Sequence, residues 1–496
     1  MNLIRLAAQV ARRFWIAIVL VIMVVPAVAA SPPNILFIYT DDQAAWALGH
    51  NDNSDIHTPN LDRLAAEGVN FSNFLVATPV CSPSRASLLT GRYGSEWGIT
   101  DWITESGGAD RRNEIDLGLD PSANTWVRDL ANAGYKTALL GKWHLGTQDR
   151  FHPTNYGYQH FFGFRHGEKP ENPTVEVGPE RRPFTGLTVD VLTDEALRLI
   201  RERDTGSPFL ISLHYREPHS PWKPVSPEDE ARYADKTLTL PNPEFPDLDL
   251  ERVTETTKAY YAAISGIDRN VGKILDLLDE LNLAESTLVI FTSDNGYNIG
   301  HHGLLHKGNG GWITNAARGK PISETVRPNI FDTSLRVPAI VRWKGTLPTG
   351  ATVDRVISSV DWYPTLLAIA GLALRDNQIL RGHNFLPLLR GETTGWDDTF
   401  YGEYSIHHYT EADLRAIRTP EWKLVRDFRR PNHDELYDLK ADPGEMRNLI
   451  EDPLHAATVE RLNVFLLEHM RARGLNSQSR RLAPEESGTN RVVHSD

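Results

Sequence analysis

Four short apolar runs along this chain each end in polar residues with chemical capacity. Pro33–Thr40 closes on Asp41-Asp42, and Tyr135–Leu140 leads into Gly141-Lys-Trp-His144. Pro208–Leu213 leads into His214 and then Pro218-His219, and Leu288–Thr292 leads into Ser293-Asp-Asn-Gly296. Continuous apolar stretches of this length read as strands buried on both faces. Between them the period changes to three and four. Thr58-Pro59 opens a helix with Leu61, Leu64, Ala65 and Val69 in step and Gly68 as a stop. Ile264, Ile267, Val271, Ile274 and Leu278 mark a long helix over Tyr260–Leu281. Strands alternating with helices predict an α/β fold, with a mostly parallel central sheet covered by helices on both faces. Ligands of such sheets bind beyond the carboxyl ends of the strands. The polar clusters are therefore expected at one edge.

The pattern changes near residue 395. Leu414–Ile417 and Trp422–Val425 are short β-like pieces, Glu435-Leu-Tyr-Asp-Leu439 follows, and Val459, Leu462, Leu466 and Met470 place a closing helix over Pro453–Arg473. A smaller α+β subdomain over 395–475 is expected behind an α/β catalytic domain over 31–394, with a polar tail over 476–496 that frays. At the other end, Arg5, Arg12 and Arg13 precede the apolar run Phe14–Val25, and Pro26, Ala27, Ala29 and Ala30 complete an A-x-A-like end. Residues 1–30 thus read as a secretory signal peptide. The run falls short of the ~20 apolar residues a membrane span needs, and no later stretch is apolar enough to serve. The expected mature protein is periplasmic or secreted, with no membrane span left after cleavage.

Composition narrows the chemistry. The chain has 496 residues and a single cysteine, Cys81, so an intrachain disulfide and any cysteine-based zinc or iron–sulfur set are excluded. Lys and Arg total 52 against 65 Asp and Glu, a net charge of −13, which argues against nucleic acid or an anionic membrane as partner. A small anion is still acceptable wherever local charge opposes the global sign.

Cys81 opens the run Cys81-Ser-Pro-Ser-Arg85-Ala-Ser-Leu-Leu-Thr-Gly91-Arg. Pro83 suits a first helical turn and Gly91 can end the helix. The cysteine then lies at a helix N-terminus, where free N–H groups favour an anion. Asp41, Asp42, Asp294 and Asn295 supply four oxygen donors from two strand ends, the ligand type of a hard cation such as Ca²⁺ or Mg²⁺.

The run Cys81-x-Pro83-x-Arg85, continued through Ala86 and Gly91-Arg92, resembles the signature of the type I sulfatases of the alkaline phosphatase superfamily. The likeness extends over Asp41-Asp42, Gly141-Lys-Trp-His144, Pro218-His219, Ser293-Asp-Asn-Gly296, Arg336-Val-Pro338 and Glu435–Leu439. It implies oxidation of Cys81 to Cα-formylglycine by a formylglycine-generating enzyme, the hydrated aldehyde serving as nucleophile. It also implies a metal, usually Ca²⁺ rather than Mg²⁺, held by Asp41, Asp42, Asp294, Asn295 and an oxygen of the modified Cys81. Arg85, Lys142 and Lys307 would neutralise the sulfate oxygens. Fixed cations in a water-poor site are the physical answer to that charge. Lys307 resembles the family's second sulfate-binding lysine, and Lys320, within Gly308–Asn329, is the other candidate. The family likeness gives His144 to the formylglycine hydroxyl and His219 to protonation of the departing alcohol. An ordinary histidine pKa of ~6.5 suits both. One of His301, His302 and His306 is a further candidate for substrate contact.

These features predict an exported sulfatase that hydrolyses a sulfate monoester on a sulfated small molecule or glycan. Trp97, Trp102, Trp222 and Trp312 could stack on sugar faces, and Gly308–Asn329 is a candidate specificity loop. A formylglycine-dependent phosphonate monoester or phosphodiester hydrolase shares the same motif and is the alternative. An inactive glycan-binding relative would be expected to lack the nucleophile, a metal ligand or the arginine, and this chain keeps all of them.

Overall fold

In strand β1 (Asn34–Thr40) successive side chains enter opposite faces and both sets are apolar. Ile35, Phe37 and Tyr39 join one core, Leu36 and Ile38 the other. This accounts for the continuous apolar run. The computed structural model describes residues 32–104, 116–392 and 395–475, with the short strands Ser479–Arg481 and Val492–His494. The expected signal peptide lies outside the described residues. Among them, no helix is long and apolar enough to cross a membrane.

The remaining strands of the central sheet are β2 (Val69–Phe71), β3 (Lys136–Lys142), β4 (His160–Phe164), β5 (Thr174–Val177), β6 (Glu180–Pro183), β7 (Phe209–His214), β8 (Thr287–Ser293), β9 (Ala339–Arg342) and β10 (Ala351–Val353). They lie in the order β10-β2-β9-β8-β1-β7-β3-β4-β5-β6. The five central strands, β8 to β4, are parallel. Towards one edge β9 runs antiparallel to β8, and at the other β5 and β6 form an antiparallel hairpin. The sheet is therefore mixed around a parallel centre, and even the antiparallel β9 is buried on both faces, with Ala339 and Val341 in one core and Ile340 in the other.

The principal helices are α1 (Pro59–Ala66), α2 (Cys81–Thr90), α3 (Trp126–Asn132), α4 (Thr188–Arg201), α5 (Leu250–Glu280), α6 (Trp362–Ile369) and α7 (Ala456–Ala472). The face bearing Phe37 and Tyr39 packs on α2, α3 and α6 through Leu88, Leu89, Trp126, Leu130, Trp362 and Leu366. The opposite face packs on α1, α4 and α5 through Leu61, Leu64, Leu192, Ala196, Ile267 and Ile274. α5 begins at Leu250 rather than the expected Tyr260. Asp249 caps it by accepting the Arg252 N–H at 3.2 Å, and the polar turns before Tyr260 carry no apolar stripe to mark them.

The last part of the chain is a four-stranded antiparallel sheet, β11 (Phe400–Ile406), β12 (Ala412–Arg418), β13 (Trp422–Asp427) and β14 (Glu435–Asp438). α7 covers it through Leu462, Leu466 and Met470, and the same core takes in Ala77 and Tyr93, which flank α2. A buried ionic group ties this sheet to the catalytic side. Asp332 accepts from Arg418 at 3.1 Å and Lys423 at 2.9 Å, and Lys423 also meets Glu445 at 2.6 Å. Within the polar tail, expected to fray, Ser479–Arg481 pairs antiparallel with Val492–His494.

Candidate active site

β1 and β8 run side by side in register up to Thr40 opposite Ser293, so the acids that follow them become neighbours. Asp42 takes a left-handed backbone, φ 72°, which turns the chain sharply after the strand. Its N–H donates to Asp294 Oδ1 at 3.1 Å, and Asn295 Nδ2 donates to Asp42 Oδ1 at 2.8 Å. Asp41, Asp42, Asp294 and Asn295 have no exposure at all. Cys81 is the first residue of α2, a helix buried along its whole length and ended by Gly91 at φ 64°. Its Sγ lies 3.6 Å from Asp41 Oδ1 and receives Lys307 Nζ at 2.8 Å. Burial pushes the thiol up to about 12, so an unmodified Cys81 stays protonated and is a poor nucleophile at neutral pH.

Three cations meet three acids here. Lys142 Nζ bonds Asp41 Oδ2 and Lys307 Nζ bonds Asp42 Oδ1. Arg85, one helical turn below Cys81, departs from expectation. Its Nη2 and Nε donate to Asp294 Oδ2 at 2.8 and 3.0 Å, and its Nη1 donates to the Lys142 carbonyl at 3.1 Å. All its donor nitrogens are engaged within the protein and it does not line the open cavity, so it positions Asp294 and the Lys142 backbone rather than facing a substrate. Burial, reinforced by Asp41, raises Asp294 to about 7 against the pull of Arg85. Asp41 moves the other way. Burial alone would raise it, but Lys142, His219 and Arg85 hold it well below the usual carboxylate range.

Two buried oxygens, Asp42 Oδ2 and Asn295 Oδ1, accept no hydrogen bond. Ligand atoms of Asp41, Asp42, Cys81 and His219 lie within 4.8 Å of one another. The Asp41 and Asp42 carboxylates gathered beside Cys81 are a donor set that fits a hard divalent ion, whereas Asp294 lies outside this group, its oxygens engaged by the Asp42 N–H and Arg85. With the acids and cations already matched three to three, such an ion would leave the site net positive for an anionic ester.

The histidines divide by surroundings. His144 and His166 each donate from Nε2 to the Ile103 carbonyl at 3.0 Å. That bond fixes the His144 tautomer and leaves its buried Nδ1 without a partner. Burial holds His144 well below its ordinary value, so Nδ1 keeps a free lone pair at neutral pH. His219 donates from Nδ1 to the Ser220 carbonyl at 2.6 Å, which turns Nε2 to within 3.8 Å of Asp42 Oδ2. His306 lines the cavity. His301 packs on Trp46 and His302 stacks on Phe331 at 3.8 Å, outside it.

The cavity above Cys81 has a volume of about 810 Å³. Trp102 and Trp312 line it, whereas Trp97 stacks under Arg92 and Trp222 packs against Tyr297. Trp312 and Lys320, both in Gly308–Asn329, form part of one wall, with Lys320 exposed and Lys307 deep in the site. Sequence reasoning did not single out Asp101. Its carboxylate accepts from Tyr404 Oη and His408 Nδ1 at 3.1 and 2.9 Å, and so anchors the Trp102–His408 stack at the cavity wall. No local signal marks it, because its partners lie about 300 residues away in sequence. Arg216, in Tyr215-Arg-Glu-Pro-His219, was also missed, although a charge just beyond a buried strand is the same cue that marks Asp41 and Asp294.

The family model described as Sulfatase matches residues 33–372. The chain belongs to the sulfatase family. Residues 327–472 of this sulfatase also match the model described as N-sulphoglucosamine sulphohydrolase, C-terminal. It is 31% identical over 480 residues to the steryl-sulfatase of Homo sapiens, covering 82% of this chain and 77% of that protein. It is 25% identical over 522 residues to the N-acetylglucosamine-6-O-sulfatase of Bacteroides thetaiotaomicron, covering 88% and 86%. A solved structure of a protein in complex with its substrate D-glucosamine-2-N,6-O-disulfate matches at a TM-score of 0.75 and 23% identity, covering 90% of this chain and 98% of that one. This sulfatase is a type I member of the alkaline phosphatase superfamily, a sulfuric ester hydrolase.

Proposed function

We propose that this sulfatase is exported and hydrolyses a sulfate monoester on a sulfated carbohydrate. Its nucleophile is a formylglycine made from Cys81, and its divalent ion, Ca²⁺ in preference to Mg²⁺, is held by Asp41, Asp42, Asp294, Asn295 and an oxygen at position 81. The observation that carries this reading is the seat of Cys81 at the floor of the cavity, against Asp41 and Lys307, in a chain with no other cysteine. Formylglycine supplies a geminal pair of hydroxyls, and the ion supplies positive charge where the ester's oxygens gather it. Lys142 and Lys307 hold the equatorial oxygens of the sulfate, and Arg85 fixes Asp294 and the backbone that carries Lys142. His144 Nδ1 takes up a proton at residue 81. Burial lowers His219 to about 3 in the free site, so it takes a proton from solvent at Nε2, beside Asp42, only as the anionic ester binds, and passes it to the leaving alcohol. Trp102 and Trp312 give the sugar apolar faces to lie against.

The test is mass spectrometry of the peptide containing Cys81, together with sulfate release. Conversion of the thiol to an aldehyde lowers the mass by about 18 Da, and Cys81→Ala is expected to abolish release while leaving the fold intact. An active natural preparation with an unmodified thiol would overturn the proposal. Sulfate-ester activity is favoured over phosphonate or phosphodiester hydrolysis, as the matched relatives described above are named sulfatases. A higher rate on phenylphosphonate esters than on aryl sulfates would reverse that order.

A further inference from the structure

Beyond the lysines at the sulfate position, the cavity is lined by four more cations, Lys169, Arg216, Arg252 and Lys320, and one more acid, Glu168. Among the described residues, none of the four cations has an ion-pair partner within 4.0 Å. This concentration sits on a chain of net charge −13. A cleft of one sign with low-dielectric walls focuses its field on ligands of the other sign.

Arg216 is the built element of this group. It is only 3% exposed, just beyond β7 on the cavity wall. Its Nε donates to the Glu168 carbonyl at 3.0 Å, and its Nη1 is buried without a hydrogen-bond partner. The adjacent Glu217 does not satisfy it, since neither Glu217 carboxylate oxygen takes a hydrogen bond. A buried, unmet guanidinium nitrogen is costly, and its planar fork matches a carboxylate or a sulfate. The His219 N–H donates to the Arg216 carbonyl at 3.1 Å, so both residues share one turn. With His219 serving the leaving alcohol, Arg216 belongs to the sugar side of the scissile bond rather than to the transferring sulfate.

We propose that Arg216 is a specificity residue that binds a second anionic group, a carboxylate or a further sulfate, on the sugar bearing the cleaved ester or on its neighbour, with Lys169, Arg252 and Lys320 extending the cationic field to the cavity mouth. This rests on the reading of the enzyme as a carbohydrate sulfatase.

The experiment compares kcat/KM of the mature enzyme on monosulfated neutral sugars, the same sugars with a second sulfate, and monosulfated sugars joined to a uronate. One dianionic class is expected to be preferred about tenfold or more, mainly through KM, with the preference shrinking as salt rises. The preferred class tells carboxylate from sulfate. In Arg216→Gln the ratio between classes is expected to fall to about threefold or less. Equal efficiency on all classes, or a ratio unchanged in Arg216→Gln, overturns the proposal while the sulfatase reading stands. Sulfate release from aryl sulfates but from no saccharide overturns the carbohydrate reading and this proposal with it. If Arg216→Gln does not fold, the double variant Arg252→Gln/Lys320→Gln must weaken both the preference and its salt dependence, and an unchanged preference counts against the proposal.

Discussion

Arg85 illustrates how a side chain can be indispensable to a site without reaching into it. Its guanidinium is the partner of Asp294, whose carboxylate is otherwise pushed towards neutrality by burial and by Asp41. Arg85→Ala therefore leaves a buried acid uncompensated and is expected to cost about 3–5 kcal/mol of stability along with activity. Arg85→Lys, which restores the charge but not the fork, should recover only part of either. Urea midpoints measured beside turnover check this, and an unchanged midpoint in Arg85→Ala would refute the positioning role. At this scale the sequence was informative wherever a polar residue closes an apolar run, as at Asp41, Lys142 and Asp294. It could not tell a side chain that faces a substrate from one that faces another side chain. Arg85 and Lys142 are both cations a few residues from other polar motif residues in one dimension, and only the distances separate them. The same limit hid Asp101, whose partners arrive with β11 and the loop after it.

The strand ends depend on one glycine. Gly141 lies within β3 at φ 105°, and a Cβ there would stand 1.9 Å from the His214 carbonyl oxygen of the neighbouring strand. β3 and β7 can pair at this point, opposite residues Gly141 and His214, only because the side chain is absent. Gly141→Ala must part the two strands that deliver Lys142 and His219. It is expected to destabilise the protein by about 2–4 kcal/mol and to lower activity more than the stability loss explains. Denaturant unfolding of Gly141→Ala beside wild type checks it, and equal midpoints would show that the strands have slack. Elements with a buried face on each side, such as β1 and β8, were legible because burial dictates their composition. The first turns of α5 were not, since they are built on a cap and polar side chains. The antiparallel flanks of the central sheet were equally hidden, because strand direction is set by connections rather than by local pattern.

At the scale of the whole molecule, two histidines, one buried and one half-buried, lie outside the catalytic site with no carboxylate paired to them among the described residues. His469 stacks on Tyr401, with its Nε2 unpartnered, and His302 stacks on Phe331. Burial, with nearby arginines, lowers each to about 4. Both are neutral in the folded protein near pH 5, whereas the unfolded chain takes up protons below about 6.5. Their contribution is therefore complete above that pH and is lost as pH falls towards 4. At pH 5 it amounts to about 1–2 kcal/mol for each. His469→Phe keeps the ring stack and removes the titration, so its urea midpoint should fall less than that of wild type between pH 7.5 and 5. Parallel declines would count against this account. A different consequence follows from the span of the acid cluster. Asp42 and Asn295 meet across 253 residues of sequence. A growing chain can grasp no ion with this pair until β8 has been made and laid beside β1. An ion bound there acts as a late latch, formed after the slow long-range pairing is over. It should lengthen the lifetime of the finished protein while leaving the pace of its assembly alone.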